Sequence, residues 1–498
     1  MTYISVSCKS ENISVNNDPV CIYNKLRKKY GENEIFLLES MSGPEKDCNK
    51  SIIAFEPIFT LKINEYDFSF TGVDSVVDFV SRHDALSSFA IKGHEGVLSS
   101  GQDLIRLLRA IENVFSVENI NNKSDVKFGF FGYFGYDTVF YFEDIDKVIK
   151  RDKGIATIHL SIYRAVINID IRSKKTLLVL NDSDYFSELN EEDIINLIND
   201  DEVTYEFNSN FSASSVAHPT VSVDEYYAWF DIAKGHIDIG NVYQIQLGHE
   251  IRIDSDIKPY DVYLRMREYN PSPYMYYFKT SEDVYVIGAS PEMFITLTGS
   301  KDIFMRPIAG TIKNSTDLQE KERNRRILLS DEKEGAEHLM LVDLCRNDIA
   351  RICVADSLKV DELLVTEEYS HVIHIVSHVR GILTDEYDKY DILAATFPAG
   401  TMTGTPKIKA VEIIENTEIN PRGIYAGCIG YFGFDDVMIS ALCIRTAIYK
   451  DGMYIIRASG GIVEDSTKKG EWDETINKLS STYLAITDKE LRNEIFVS

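Results

Sequence analysis

The sequence predicts an α/β protein built in two parts, and three observations lead there. The N-terminal part carries short β-rich runs, Ile52-Ile53-Ala54-Phe55 and Ala165-Val166-Ile167-Asn168-Ile169, broken by acidic, Asn-rich connections. Around 207–222 the composition turns to FNSNFSASSVAHPTVS, a polar, small-residue stretch that reads as a linker. From Val223 onward, amphipathic helical segments alternate with strands such as Val284-Tyr285-Val286-Ile287 and Met453-Tyr454-Ile455-Ile456, with polar motifs at their junctions. The expected division is a scaffold domain over 1–207, a linker over 208–222, and a second domain over 223–490 that carries the chemistry.

A chain of 498 residues, 44% hydrophobic and 11% aromatic, has the material for a large core. At about 100–200 residues per domain, length alone suggests roughly two to four domains. No run reaches the ~18 apolar residues of a membrane span, and the start, MTYISVSCKSEN, has neither a basic leader nor an apolar signal core. A cytoplasmic protein with no membrane partner is expected. The seven cysteines form an odd set with no C-x-x-C pair, which argues against a zinc site or disulfide framework and for buried free thiols. With 52 basic against 79 acidic residues the net charge is -27, which opposes binding to nucleic acid or anionic lipid. An anionic substrate would need local help.

The segment 330–344, SDEKEGAEHLMLVDL, opens with Asp331 and Glu334 in a capping pattern and continues as a helix. At about 100° per residue, Glu334, Glu337, Leu341 and Leu344 share a face, so the carboxylates lean toward the core. A solvated acidic first turn, favoured by the helix dipole, is the commoner explanation of such a pattern. A second helix weakens that explanation. In 470–479, Glu471, Glu474 and Lys478 share a face flanking an apolar stripe of Trp472, Ile476, Leu479 and Tyr483. Facing carboxylate pairs repel unless protonated or bridged by a cation, and an all-oxygen site that keeps waters and takes a substrate carboxylate suits Mg2+. Spacing does not say whether the two helices face each other.

The Gly-rich stretch 398–407, PAGTMTGTPK, lacks the G-K-[ST] ending of a phosphate loop, so nucleotide binding is a poor reading. Its backbone amides and Thr401 suit a carboxylate, just ahead of a helix expected to begin near Lys407. Ala458-Ser459-Gly460-Gly461-Ile462 is a second place where small residues let backbone approach a ligand, although a simple turn is commoner. Alternation puts His374 on the strand face opposite Ile373 and Ile375. A lone histidine of this kind is more often a hydrogen-bonded core residue than a catalyst, and only its near-neutral pKa recommends it for proton transfer.

Together these segments resemble the chorismate-utilising enzymes, the family of anthranilate, aminodeoxychorismate, isochorismate and salicylate synthases. The matching strings are GNVYQIQL from Gly240, Ser290-Pro291-Glu292, Arg306-Pro307-Ile308-Ala309-Gly310-Thr311, AEHLMLVDL from Ala336, and the stretch from Phe397 to Lys407. They continue with Arg422-Gly423-Ile424-Tyr425-Ala426-Gly427, Ile444-Arg445-Thr446 and the stretch from Ala458 to Val463. The resemblance implies a two-domain fold of antiparallel sheets packed against helices. It implies Glu337 and Glu474 as Mg2+ ligands, with Glu334 and Glu471 in support, the metal holding the ring carboxylate of chorismate. Thr401, the backbone at Gly460 and Gly461, and Lys478 become further carboxylate contacts, with Ala309, Gly310 and Thr311 lining the same site. Tyr425 and Arg445 match positions that hold the enolpyruvyl carboxylate, where a guanidinium fork has the right geometry. Glu292 matches the general acid that protonates the departing ring hydroxyl, a task needing a pKa raised by burial. His374 matches the family's active-site histidine, which reverses the first reading of that residue.

Two positions separate the members. Water-using relatives carry a lysine base where this chain has Gln244, and an amide is no general base at neutral pH. Many aminodeoxychorismate synthases carry a nucleophilic lysine where this chain has Ala309, which cannot form the covalent adduct. The resemblance therefore implies direct amination by ammonia and an anthranilate synthase large subunit, a lyase of tryptophan biosynthesis. The alternative is an aminodeoxychorismate synthase or a 2-amino-2-deoxyisochorismate synthase of folate or secondary metabolism, the latter stopping at the aminodeoxy intermediate. No cysteine sits in the small-residue elbow of a glutaminase nucleophile, so ammonia should come from a separate glutamine amidotransferase subunit. Leu38, Glu39 and Ser40, with Pro271, Tyr274 and Met275, resemble the family's tryptophan pocket and make feedback inhibition an expectation. A departure at Met438-Ile439-Ser440-Ala441, where anthranilate synthases often read Met-Asp-Thr-Cys, bears on that sensitivity.

Overall fold

Two long strands, Lys50–Asn64 and Ile158–Asp170, pair antiparallel along most of their length and form the spine of the protein. Their β-branched and aromatic residues suit a pleated surface buried on both faces. The register slips between Pro57 and Phe59, where a proline without an N–H cannot continue the ladder. The computed structural model describes residues 3–15, 18–33, 35–43, 50–118, 125–151, 154–200, 214–369 and 372–495.

From this spine the sheet runs out both ways through antiparallel pairs. On one side Lys50–Asn64 pairs with Phe36–Glu39, which pairs with Tyr274–Lys279, then Tyr285–Ser290, Thr446–Lys450, Met453–Ile462 and Gln244–Ser255. On the other, Ile158–Asp170 pairs with Gly129–Phe134, then Cys428–Gly433, Met438–Leu442, Met293–Leu297, Asp302–Met305 and Val372–Ile382. Strands from before residue 207 thus sit in the middle of a path whose two arms come from after it. The architecture is the expected mix of antiparallel sheet and helices, but the expected boundary does not break the sheet.

The expected linker needs correction in its second half. Ser215–Pro219 is an edge strand, hydrogen-bonded antiparallel to Gln244–Ser255 from Ser215 opposite Ser255 to Pro219 opposite Ile251. Small polar residues and a terminal proline are tolerated at an edge, which is why the composition resembles a linker. Residues 208–213 of that stretch lie outside the described residues.

Among the described residues, three large apolar clusters hold this arrangement. One includes Phe36, Phe131, Tyr133, Tyr276, Ile429 and Tyr431, so residues from both parts of the chain share it. The others lie where helices cover the sheet, Trp229, Tyr263, Ile414 and Ile476 in one and Leu107, Val342, Ile349 and Leu393 in the other. Helix Glu332–Ala350 begins as expected at Asp331, whose carboxylate accepts from Lys333 N and Glu334 N. Helix Lys468–Thr487 starts two residues before the expected segment, capped by Thr467, and helix Lys407–Thr417 begins at the expected residue.

Candidate active site

Glu292 lies in the short break between strands Tyr285–Ser290 and Met293–Leu297, just after a proline. Its backbone is pinned on both sides, Glu292 N donating to Ser290 Oγ at 3.3 Å and Leu442 N donating to Glu292 O at 3.1 Å. The residue is 8% exposed, and the Thr401 hydroxyl donates to Oε1 at 3.1 Å. Burial pushes the carboxyl up to about 8, against the Thr401 hydrogen bond and the charges of Lys478 and Arg445. At neutral pH it keeps its proton, as a general acid requires.

Thr401 sits in the single turn Gly400–Met402. A Cβ at Gly400 would lie 1.6 Å from Leu344 Cδ2, so only glycine lets this turn press against helix Glu332–Ala350. Of the amides expected to form a cradle here, Met402 N and Thr403 N are taken, donating to Ala399 O and Gly400 O. Lys407 is likewise engaged, donating to Asp348 Oδ2 and Thr396 O at 2.7 Å each.

His374 lies in strand Val372–Ile382, with Ile373 and Ile375 buried on the other face against Leu328, as alternation predicts. Strand Ile308–Lys313 pairs beside it, Ala309 opposite Ile375 and Thr311 opposite His374, and the extra residue between them is Gly310. Gly310 has a φ of 63°, and its carbonyl accepts from His374 Nδ1 at 2.8 Å, with Thr311 Oγ1 at 3.1 Å. A Nδ1–H held by a carbonyl leaves Nε2 as the lone-pair nitrogen. Burial pushes His374 down to about 4, helped by the charges of Arg445 and Lys478 and opposed by the Gly310 carbonyl and Glu367, so the ring is neutral at physiological pH.

The carboxylates of the two acidic helices come within electrostatic reach of one another. Glu334 and Glu337 are pushed up chiefly by burial, and the charge of Glu474 on the other helix adds to both. Glu471 is pushed up by burial and then by Glu474, while Lys478 holds Glu474 down. In this arrangement Glu474 accepts from Lys478 at 2.5 Å and Glu337 lies 3.6 Å from Lys333, so lysines balance the two carboxylates. Ser466 donates to Glu471 Oε1 at 2.6 Å, and the buried Oε2, with the Glu474 carboxylate beside this group, has no donor among the described residues. His338 Nε2 lies 2.6 Å from Ser377 Oγ, which ties the acidic turn of the first helix to the His374 strand.

Opposite the carboxylates lies cationic ground. Arg445, with a φ of 50°, carries no ion pair among the described residues, and burial pushes its guanidinium down while Tyr425, Glu474 and Glu292 oppose. A largely desolvated guanidinium without a carboxylate is a receptor for an anion. Tyr425 OH donates to Ser459 Oγ at 3.0 Å, and Lys478 Nζ donates to Ser459 O at 2.9 Å. Gly460 and Gly461 continue that strand opposite Leu247 and Gln246, and a Cβ at Gly461 would lie 3.2 Å from Gln244 Nε2. Gln244 is buried and its Oε1 has no hydrogen-bond partner among the described residues. Sequence reasoning passed over Ser459 and Ser466, whose hydroxyls position Tyr425 and Glu471. Ser459 lies inside a singled-out string, where the adjacent glycines drew the attention.

The family described as chorismate binding enzyme matches residues 79–483, most of the chain and all of the groups above. The chain belongs to that family. Among curated relatives, a 2-amino-4-deoxychorismate synthase of Streptomyces globisporus is 40% identical over 94% of each chain. Anthranilate synthase component 1 of Acetivibrio thermocellus is 32% identical over 93% of this chain and 92% of its own. Anthranilate synthase component 1 of Aquifex aeolicus is 47% identical over 53% of each. Among solved structures, anthranilate synthase component I from Streptococcus pneumoniae superposes with a TM-score of 0.71 at 28% identity, covering 87% of this chain and 92% of that one. The menaquinone-specific isochorismate synthase of Escherichia coli shares the fold, with a TM-score of 0.68 at 14% identity over 97% and 95% of the two chains. No helix among the described residues is long and apolar enough to cross a membrane.

In this chorismate-binding enzyme the segments expected to form a tryptophan pocket do meet, Leu38 pairing opposite Tyr276 and Glu39 opposite Met275. Tyr274 pairs with Ser290, two residues from Glu292. The Glu39 carboxylate, however, is already taken. It accepts from Arg267 Nε and Nη2 at 2.7–3.0 Å and from Tyr263 OH at 2.6 Å, so it is not free to grip an amino group. Ser40 N donates to Ser51 Oγ at 3.1 Å, and Pro271 is half-buried on the turn before Tyr274.

Proposed function

We propose that this chain aminates chorismate with ammonia, forming anthranilate and pyruvate. The observation that carries the reading is Glu292, a carboxyl kept protonated by burial beside Thr401 and near the charges of Arg445 and Lys478. Arg445 and Tyr425 would hold the enolpyruvyl carboxylate, and Lys478 and the backbone at Gly460 and Gly461 the ring carboxylate. Mg2+, held by Glu337 and Glu474 with Glu334 and Glu471 behind them, would neutralise that ring carboxylate. The donor set fits, being all oxygen, with one buried carboxylate oxygen lacking any donor among the described residues. The four carboxylates do not form a preassembled three-ligand cluster among the described residues, which suits an ion completed by water and substrate oxygens.

The ring hydroxyl leaves as water with the proton of Glu292, ammonia bonds to the ring carbon beside the carboxyl-bearing carbon, and the new ammonium gives up one proton, which restores the acid form of Glu292. Gln244 supports ammonia over water as nucleophile, since its amide accepts an N–H but does not deprotonate water. Ala309 offers no amine for a covalent route. His374 Nε2 then takes the proton from the aminated carbon as the enolpyruvyl C–O bond breaks, and a proton added to the methylene carbon of the departing enolpyruvate gives pyruvate and returns the imidazole to its neutral form. A separate glutamine amidotransferase subunit would supply the ammonia, with ammonium replacing it in vitro.

A second reading stops before elimination and releases the aminodeoxy compound. The full-length similarity to the Streptomyces globisporus protein favours it. Incubation with chorismate, Mg2+ and ammonium, followed by anthranilate fluorescence and pyruvate release, decides between them. Amine incorporation without pyruvate selects the second reading, and no amine incorporation sinks both.

A further inference from the structure

Of the string Arg422-Gly423-Ile424-Tyr425-Ala426-Gly427, the chemistry above engages Tyr425 alone. Arg422 follows helix Lys407–Thr417, and its side chain is only 1% exposed. The guanidinium aims its donors in three directions. Nε donates to Glu418 Oε2 at 3.0 Å and Nη2 to Glu418 Oε1 at 2.9 Å, Nη1 donates to Met402 O at 2.7 Å, and Nη2 also donates to Gln246 O at 2.9 Å. Its Cζ lies over the Tyr136 ring, 4.8 Å from the centroid, which holds the plane of the fork.

Neutralising Glu418 does not by itself call for Arg422. Arg457 Nη2 donates to Glu418 Oε2 at 2.6 Å and Gly248 N to Glu418 Oε1 at 2.8 Å, so this buried carboxylate has a second guanidinium and a backbone amide. Burial pushes the carboxyl up, but Arg422 and Arg457 outweigh it and hold it down. What Arg422 adds is reach to two carbonyls of the site. Met402 ends the turn that carries Thr401, whose hydroxyl donates to Glu292. Gln246 lies on the strand that begins at Gln244, and its N donates to Thr403 O at 2.8 Å, so turn and strand close on one guanidinium. The charges acting on Glu292 are those of Lys478 and Arg445, with the Cys345 thiol also within reach, and Arg422 meets that carboxyl only through Met402 and Thr401. We propose that Arg422 is a positioning residue for the proton transfer, a planar fork that fixes the Thr401 turn against strand Gln244–Ser255 and so aims Thr401 at Glu292. The inference rests on Glu292 as the acid in the amination proposed above. Lysine is no substitute, because three donors on one nitrogen do not span a carboxylate and two separate carbonyls.

Arg422→Lys keeps the charge beside Glu418 and loses the span. With chorismate, Mg2+ and ammonium, its kcat should fall about tenfold while KM for chorismate stays within about threefold. Combined with Thr401→Val, it should slow turnover less than about twofold beyond Thr401→Val alone, because both act through one hydrogen bond. Losses that multiply, or a loss carried by KM, would overturn the assignment. Denaturant unfolding gives a readout that needs no turnover. The pH dependence of the stability difference between Arg422→Lys and Arg422→Lys/Glu292→Gln reports where Glu292 gives up its proton. Freed from the Thr401 hydrogen bond, which favours the ionised form, that carboxyl should keep its proton to a pH about 0.5–1 higher than in the pair with Arg422 intact. A general loosening that admitted water would move the titration down, so an unmoved or lowered titration also overturns the proposal. If the parent turns over no chorismate, the amination reading fails and this arm still decides the role of Arg422. Glu418→Gln keeps both guanidiniums but removes the carboxylate that aims Arg422. It is the second variant should Arg422→Lys fail to fold, and it should couple to Thr401→Val in the same way; independent effects would count against Arg422.

Discussion

The Thr401 hydroxyl donates to Glu292 Oε1 at 3.1 Å, and among the described residues this is the one hydrogen bond to that buried carboxyl. The bond favours the ionised form, yet burial outweighs it. Glu292→Gln keeps the shape and removes the proton donor, so turnover should fall by about 10²–10⁴-fold.

The same substitution should stabilise the chain. A carboxyl whose folded pKa is about 8 binds its proton more tightly folded than unfolded, so its contribution to stability is lost as pH rises from the ordinary carboxylate range to about 8. Glu292→Gln removes that loss and should gain about 2–4 kcal/mol at pH 7, read by denaturant unfolding. Equal or lower stability than the parent at pH 7, with no gain relative to pH 4, would contradict the buried protonated carboxyl. For the parent enzyme, kcat should fall as pH rises through about 8.

His374 makes the opposite prediction at the acid end. With its pKa near 4, the ring stays neutral through the range in which an exposed histidine titrates. Pyruvate release should therefore show no decline between about pH 7 and 5 attributable to this residue, and should fall only toward pH 4. A variant His374→Ala should lose pyruvate release more than amine incorporation, measured as the ratio of the two products.

Glu337→Gln and Glu474→Gln should each abolish the dependence of turnover on Mg2+ while the chain stays folded. Glu337 sits among like charges that push its carboxyl up, so neutralising it costs no stability, whereas Glu474 is held down by Lys478 and its neutral variant gives up one half-exposed ion pair, a small loss. Thermal unfolding with and without Mg2+ checks this independently of activity. The ion should raise the Tm of the parent and leave both variants unmoved.

Tryptophan should inhibit weakly or not at all. Its ammonium would have to displace Arg267 and Tyr263 from Glu39, two partners that together fill the carboxylate. Titration of tryptophan into the turnover assay is the measurement, and inhibition at micromolar concentration would show that the pocket opens.

The sequence by itself determined the helices and their caps, the alternation that buries Ile373 and Ile375 behind His374, and the family membership carried by strings such as Ser290-Pro291-Glu292. These are local, because a period of 3.6 or 2 and a capping carboxylate are written within a few consecutive residues. Only the tertiary structure decided that the carboxylates of Glu337 and Glu474 come within electrostatic reach of each other, since their separation in space depends on a sheet path that interleaves strands from both ends of the chain. The same holds for the edge strand Ser215–Pro219, whose polar composition makes sense only beside its partner. Glu39 is the sharpest case. Its motif suits an amino group, but Arg267, 228 positions away, reaches it first, and no local pattern encodes which of two cations a buried carboxylate will meet.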